Sequence, residues 1–360
     1  MKRVIGLLLA ICLVFSIVAC SKKPETKVTE QKEADPIRVV LIGNQRFGDS
    51  GPMDDMASGG ERAAKDFGVE FKKIESQPAS FEEDIRGMAE EGYDLILTTF
   101  FYMSEATKLV AQEYPDTKFA AIFQSINEGD TKIDNLWDAV FSGQETFYVN
   151  GCIAGLSTKT NRVGFIVGGE EPGPHSEANG FMRGVRDVNP NATVEFGYAD
   201  YEDSAKAKEV AIAMIEKGCD IIQGDNAAPD AGIVEAAEES GKDVYMMSCI
   251  MDFSDSDRYI GTIKMNYGTA VYDAIKWLVE GNFPGGTQGV RNITNDGYYL
   301  FWEAYDSFPD RAFNKEYGDA VAKAVVKGKE IEQKLLKGEI TVPFDPAPPS
   351  WSRILSEKTN

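Results

Sequence analysis

Few side chains in this sequence have the type and spacing for bond-breaking chemistry. The loop Gly43-Asn44-Gln45-Arg46-Phe47-Gly48-Asp49-Ser50-Gly51 is glycine-rich and follows an apolar run, as a phosphate loop does. Its spacing fits neither Gly-x-Gly-x-x-Gly nor the Gly-Lys-Ser/Thr form, and Asp54-Asp55 just beyond it would repel phosphate. Asp49, Asp54 and Asp55 could hold a metal ion; the competing role, capping and charging the start of a helix, asks less of the chain and is the expectation here. The single histidine, His175, stands in Glu-Pro-Gly-Pro-His-Ser and reads as an exposed loop residue. No serine elbow of the form Gly-x-Ser-x-Gly occurs. Cys152, Cys219 and Cys249 lie in apolar surroundings without metal-ligand spacing and read as small core residues. What the sequence does offer is aromatic surface: Phe47 in the loop, Phe100-Phe101-Tyr102 after an apolar run, and Tyr201 among acids in Asp200-Tyr201-Glu202-Asp203. Such rings hold a flat solute by stacking. That chemistry is binding without turnover, with no cofactor and no metal.

The elements that must position these rings alternate regularly. Strands are expected at residues 37–42, 71–74, 94–99 and 118–123, separated by helices at 56–67, 81–91 and 104–113. After a helix at 147–156 a second series repeats the pattern, with strands at 162–167, 194–198, 220–223 and 244–247 and helices at 177–188, 204–217 and 231–239. Units of this kind build a parallel sheet covered on both faces. Two α/β lobes in tandem leave a cleft between their strand carboxyl ends, which is the default ligand site. Phe100, Phe101 and Tyr102 stand at one such end. Strand character at 260–263 and 298–302, with a helix at 269–279 between, could complete both lobes by crossing back. A long polar helix at 319–336 closes the body, and residues 344–360 read as a Pro-rich tail.

The amino terminus gives an address. Met1-Lys2-Arg3, an apolar run from Ile5 to Val18, and Ala19-Cys20 follow the order of a secretory signal peptide of residues 1–19, too short for a membrane span. Ala19-Cys20 resembles a bacterial lipobox, which makes Cys20 the lipidated first residue of the mature chain. Residues 20–36 are charged and polar and read as a flexible linker. A lipidated cysteine carries several acyl chains and anchors firmly. The net charge of −21 argues against a nucleic-acid partner.

The loop from Phe47 to Gly59, running into Glu61-Arg62-Ala63-Ala64-Lys65, resembles the first ligand loop of the basic membrane protein family, bacterial lipoproteins that include purine nucleoside receptors of ABC transporters. Tyr114-Pro115-Asp116-Thr117-Lys118-Phe119, Gln144-Glu145-Thr146-Phe147, residues 163–169, residues 180–185, Phe283-Pro284-Gly285-Gly286 and Ile340-Thr341-Val342-Pro343 fit as well, in one order over 37–343. The resemblance implies an α/β type I periplasmic binding protein fold: two Rossmann-like lobes, each with a parallel sheet, joined by three crossing strands. The lobes would be roughly 37–143 plus 267–298, and 144–266 plus 299–343.

In the family's nucleoside receptors two aromatic rings hold the base, and carboxylates and a lysine hold the ribose. The resemblance puts Pro52-Met53 where the first ring belongs and Tyr201 at the second. It puts Phe123 and Ile250 at carboxylate positions, with Asp252 close by, and Lys264 near the lysine. Gly224-Asp225 falls in a Gly-rich turn. The ligand-binding set implied is Phe47, Asp49, Met53, Asp54, Phe101, Phe123, Tyr201, Asp225, Ile250, Asp252 and Lys264. Lost hydroxyl partners would leave a ribose unpaired at about 1–3 kcal/mol per group, so the ligand expected is a flat, less polar ring system: riboflavin, slightly ahead of a purine nucleoside. The function implied is that of a monomeric, lipid-anchored substrate-binding protein of an ABC importer. It would face the periplasm or cell exterior and deliver its solute to a permease energised by separate ATPase subunits. A ligand sensor, a surface adhesin and an exported hydrolase stand as alternatives.

Overall fold

Val39, Val40, Leu41 and Ile42 have no exposed surface, as expected of a strand covered on both faces. They form the centre of β1 (Arg38–Gly43) in a computed structural model that describes residues 36–48 and 51–357. The signal peptide, Cys20, the linker up to residue 35, and Asp49 lie outside the described residues.

From β1 the chain runs through α1 (Pro52–Phe67), β2 (Glu70–Glu75), α2 (Phe81–Glu90), β3 (Leu95–Thr99), α3 (Ser104–Glu113), β4 (Lys118–Ile122) and β5 (Leu136–Phe141). The second series is α4 (Gln144–Ser157), β6 (Arg162–Val167), α5 (Pro172–Val188), β7 (Thr193–Tyr198) and α6 (Ser204–Glu216). It continues with β8 (Ile221–Asp225), α7 (Ala231–Glu239), β9 (Tyr245–Cys249) and β10 (Tyr259–Met265). Then come α8 (Tyr267–Val279), β11 (Thr287–Arg291), β12 (Tyr298–Leu300), α9 (Trp302–Arg311), α10 (Lys315–Leu336) and α11 (Trp351–Ser356).

These strands make two six-stranded sheets of matching order, β11-β5-β4-β3-β1-β2 and β12-β10-β9-β8-β6-β7. The β12–β10 pair is antiparallel and the other pairs are parallel. The chain passes between the sheets three times: after Phe141, after Met265, and between Arg291 and Tyr298. Helices pack closely where glycine allows it. A Cβ on Gly59 of α1 would sit 2.0 Å from the carbonyl oxygen of Gly268 in α8, so α1 and α8 touch backbone to backbone.

Several elements depart from the sequence expectation. Helix α1 starts at Pro52, not Met56, because Pro is preorganised for the first helical turn and Asp54 and Asp55 complement its dipole. The expected strand ending at Trp302 stops at Leu300, and Trp302 opens α9. His175 is not an exposed loop residue. It lies in α5 at 6% exposure, with Nε2 2.8 Å from the Tyr198 hydroxyl and Nδ1 3.2 Å from the Pro346 carbonyl. The tail is also more than a Pro-rich extension. Asn179 Nδ2 donates to the carbonyls of Asp345 and Ala347, and Arg183 pairs with Asp345 at 2.6 Å and Glu357 at 2.7 Å. Cys152, Cys219 and Cys249 are buried free thiols, as expected. Among the described residues no helix is long and apolar enough to cross a membrane.

Candidate functional site

Four residues that close inner strands hold an unusual backbone. Phe100 follows β3 at φ 57°, Phe123 follows β4 at 58°, and their counterparts in the second sheet are Ala227 at 58°, just beyond β8, and Ile250 at 72°, directly after β9. Side-chain-bearing residues avoid positive φ, and for the β-branched Ile250 it is a marked outlier, costing of order 1–3 kcal/mol. Both sheets thus carry strain at the carboxyl ends of matching strands, on the edge where a crevice forms in such sheets.

The wall built by the first sheet is aromatic. Phe123 meets Phe100 at 5.4 Å, Phe141 at 5.6 Å and Tyr267 at 5.8 Å between ring centres, and Phe141 meets Tyr298 at 6.2 Å. Phe141, Tyr267 and Tyr298 belong to the three crossings, so this floor joins the hinge to the strand ends. Above it, in the short turn after β3, Phe101 and Tyr102 lie against each other at 4.0 Å and are 42% and 60% exposed. Burial raises the Tyr102 phenol above its ordinary pKa, and the carboxylates of Glu171, Glu202 and Asp200, all from the second lobe, add to the effect.

The other wall is acidic. Tyr201 lies with its ring on Gly168, where a Cβ would come within 2.3 Å, and its hydroxyl donates to Glu171 Oε2 at 3.3 Å. Burial raises the Tyr201 phenol well above its usual range, helped by the negative charge of Asp225, Glu171 and Glu177. Asp225 ends β8 at 7% exposure and Glu177 of α5 is buried beside it; burial pushes both carboxyls up. Asp230 accepts from Asn226 Nδ2 at 2.7 Å and from the Cys249 amide at 3.4 Å, and burial raises its pKa to about 7.

The structure sorts the expected ligand residues unevenly. Phe101 and Phe123 fall on the aromatic wall, and Tyr201 and Asp225 on the acidic one, with Ile250 at a strained strand end. Met53 does not reach solvent: at 1% exposure it packs into the core, because α1 turns residues 53, 56, 57, 60 and 63 to one face. Phe47 bends toward Met53 over Gly43 and lies under the Lys73 ammonium at 5.4 Å. The Asp54 carboxylate caps the loop by accepting from the Gly48 amide at 2.8 Å. Asp252 is exposed and accepts from Ser254 within its own turn. Lys264 donates to the Ile250 carbonyl, and burial lowers its pKa. Glu171, Glu177, Asp230 and Tyr267 were not among the expected residues. An acid inside a helix reads as solvated, and only the fold shows Glu177 facing inward. No group of three or more His, Cys, Asp or Glu among the described residues could hold a metal ion. One hollow of 510 Å³ lies beside β12, lined by Tyr298, Tyr299, Trp302 and Glu332 among others.

Rings on one side and hydrogen-bond acceptors on the other can clasp a flat molecule with polar edges. Comparison with known proteins places the chain in a family. Residues 37–342 match the model of a family described as ABC transporter substrate-binding protein PnrA-like. The CD4+ T-cell-stimulating antigen of Listeria innocua is 25% identical, covering 96% of this chain and 99% of its own. The ABC transporter nucleoside-binding protein BmpA of Lactococcus lactis is likewise 25% identical, over 95% and 99%. Among solved structures, a solute-binding protein of an ABC transporter system from Aeropyrum pernix superposes with a TM-score of 0.66 at 24% identity, covering 86% of this chain and 94% of that one. A carbohydrate transporter solute-binding protein from Agrobacterium radiobacter, solved with D-arabinose, gives a TM-score of 0.56 at 15% identity, over 77% and 98%. These structural likenesses concern the fold, the two-lobed type I periplasmic binding class.

Proposed function

The chain belongs to the PnrA-like family of ABC transporter substrate-binding proteins, and we propose that it captures a flat heteroaromatic solute, riboflavin foremost, between its lobes and delivers it to a membrane permease. The observation that carries this reading is the aromatic wall. Phe100, Phe123, Phe141 and Tyr267 form one continuous and largely buried floor of rings at the strand ends, and Phe101 and Tyr102 are the rings exposed above it. Each exposed ring that stacks on a planar solute adds about 0.5–1.5 kcal/mol beyond burial. Acceptors on the opposite wall suit the polar edge and hydroxyl tail of a flavin. The open lobes take up the solute and the three crossings flex as they close; the loaded form docks on the permease, and separate ATPase subunits supply the energy. Lipidated Cys20 would keep the body within reach of that permease.

A purine nucleoside is the second reading, favoured by the nucleoside-binding relative from Lactococcus lactis. Purification of the protein without added ligand, followed by an absorption spectrum and titration calorimetry, separates the two. A yellow protein with a flavin spectrum supports riboflavin. A colourless protein that takes up inosine and ignores riboflavin overturns it.

A further inference from the structure

The hollow beside β12 joins aromatic rings to carboxylates. Its volume, 510 Å³, falls in the range of small-molecule sites, about 300–1,000 Å³. The third crossing and the residues that follow it contribute Asp296, Tyr299, Trp302 and Glu303, and the last turns of α10 contribute Glu332. The Trp302 indole is fixed in place. Its Nε1 donates to Glu332 Oε2 at 3.0 Å, and its ring centre lies 5.3 Å from that of Tyr305. Its far edge rests on Gly328 of α10, where a Cβ would lie 3.5 Å from it. Tyr299 is 42% exposed, so its ring can receive a ligand.

Among the described residues no lysine or arginine lines the hollow, and Asp296 and Glu303 form no ion pair. Two ammonium groups approach its rings, and both are already engaged. Lys329 lies 5.3 Å from the Trp302 ring centre but binds both oxygens of Asp306 at 2.7 Å. Lys264 lies 5.9 Å from the Phe301 ring centre and donates to the Ile250 carbonyl. Acids thus outnumber bases around the hollow, which favours a positive charge within it, and the ring faces attract the same charge. A bare metal ion fits poorly. Ring faces supply it no ligand atoms, and among the described residues no three carboxylates, thiols or imidazoles stand close enough to hold one. A cation with a carbon skeleton uses both kinds of wall.

We propose that this hollow is a second binding site, for a small organic ammonium ion whose charge lies among Asp296, Glu303 and Glu332 and whose carbon skeleton rests on Tyr299 and Trp302. The ammonium N–H groups donate to the carboxylates, and the fixed indole presents a ready surface to the methylenes. Tyr298 lines the hollow and also meets Phe141 of the ring floor at 6.2 Å, so the bound cation is held against one of the three crossings. The inference does not depend on which solute the cleft takes.

Phenethylammonium and its neutral counterpart 2-phenylethanol test the proposal, each titrated by calorimetry into full-length protein in detergent. The cation is expected to bind at millimolar concentration or below, and the alcohol at least about tenfold more weakly. Glu332→Gln keeps an acceptor for Trp302 Nε1 but removes the charge, and Glu303→Gln removes a charge at an exposed position that the core does not need. Each should weaken the cation about three- to tenfold, and Glu303→Gln decides the matter if Glu332→Gln fails to fold. Because the cleft also sets rings against acids, Tyr201→Ala serves as the control and should leave the affinity for phenethylammonium unchanged. No binding of the cation, equal binding of the alcohol, or full affinity in the glutamine variants overturns the proposal. Loss of affinity in Tyr201→Ala alone overturns it too, by placing the cation in the cleft. Riboflavin and inosine are titrated separately, so the failure of either solute leaves this result standing.

Discussion

Replacing Ile250 with aspartate is expected to leave the protein nearly as stable and to change what it binds. Ile250 has φ 72°, a conformation that costs an L-residue about 1–2 kcal/mol and that Asp adopts more readily. Its side chain is half-buried, so its loss forfeits roughly half of the 1.5–3 kcal/mol due to a fully buried aliphatic group. The two amounts nearly cancel. The new carboxylate would lie near the Lys264 ammonium, which already donates to the Ile250 carbonyl and whose charge is disfavoured by burial; pairing favours both. Net destabilisation should therefore stay within about 1 kcal/mol, where a charge placed in an ordinary core site costs several. Denaturant unfolding measures the first part. Calorimetry with riboflavin and inosine measures the second, and the ratio of affinities should move toward the nucleoside, whose ribose hydroxyls gain an acceptor. A loss above about 3 kcal/mol would refute the strain argument, and an unchanged ratio would remove residue 250 from the solute's surroundings.

Other perturbations reach other parts of the molecule. Gly168→Ala should push the Tyr201 ring off its seat, since the added Cβ would lie 2.3 Å from it, and weaken solute binding while leaving the melting temperature within a few degrees; equal affinity would detach Tyr201 from binding. Burial raises the Glu145 carboxyl to about 7 from 4.5, so the folded state holds an extra proton between those values. Its contribution is full below about pH 4.5, declines as pH rises, and is gone above about 7. Glu145→Gln should therefore spare up to about 3 kcal/mol of the stability the wild type loses over that window, and parallel stability–pH curves would contradict it. Arg183→Met should release the tail, because Arg183 is the nearly buried partner of both Asp345 and Glu357. Limited proteolysis should then cut within residues 343–357 much faster than in the wild type, with a stability loss of order 1–3 kcal/mol; a wild-type cleavage pattern would show that the tail holds without it.

The parts of the fold legible in sequence are those where one physical signal dominates. Val39 to Ile42 and Leu95 to Leu97 are continuous apolar runs, and burial on both faces leaves such runs no other reading. Strand β5 was hidden by Asp138, a charge in the middle of Leu-Trp-Asp-Ala-Val-Phe. The fold satisfies it with the amides of Ile126 and Asn127 and the side chain of Gln288, at 2.8–3.1 Å. The two amides come from the loop that leads into the strand and Gln288 from far along the chain, and no strand-like pattern in the sequence reveals either. Strand β11, Thr-Gln-Gly-Val-Arg, is an edge strand that owes its place to pairing with β5 rather than to its own composition. The same division runs through the site. The rings at 100–102 were visible because they follow a buried strand, whereas Glu177 became visible only once α5 was set against the crossings. Met53 failed in the opposite sense: an apolar residue in a ligand loop looked like a contact until the helical start at Pro52 turned it inward.

The interleaved strand order also governs when the molecule can fold. The first sheet is missing an edge strand until Thr287–Arg291 is available, and the second lacks β12 until residue 300. Neither lobe is a continuous stretch of chain, so a nascent polypeptide has no half that can finish early on its own. Native pairing must wait for contacts of very long sequence separation, which slows folding. For an exported chain, as substrate-binding proteins of ABC importers are, such a delay would be useful: it would keep the chain threadable until nearly all of it has been made.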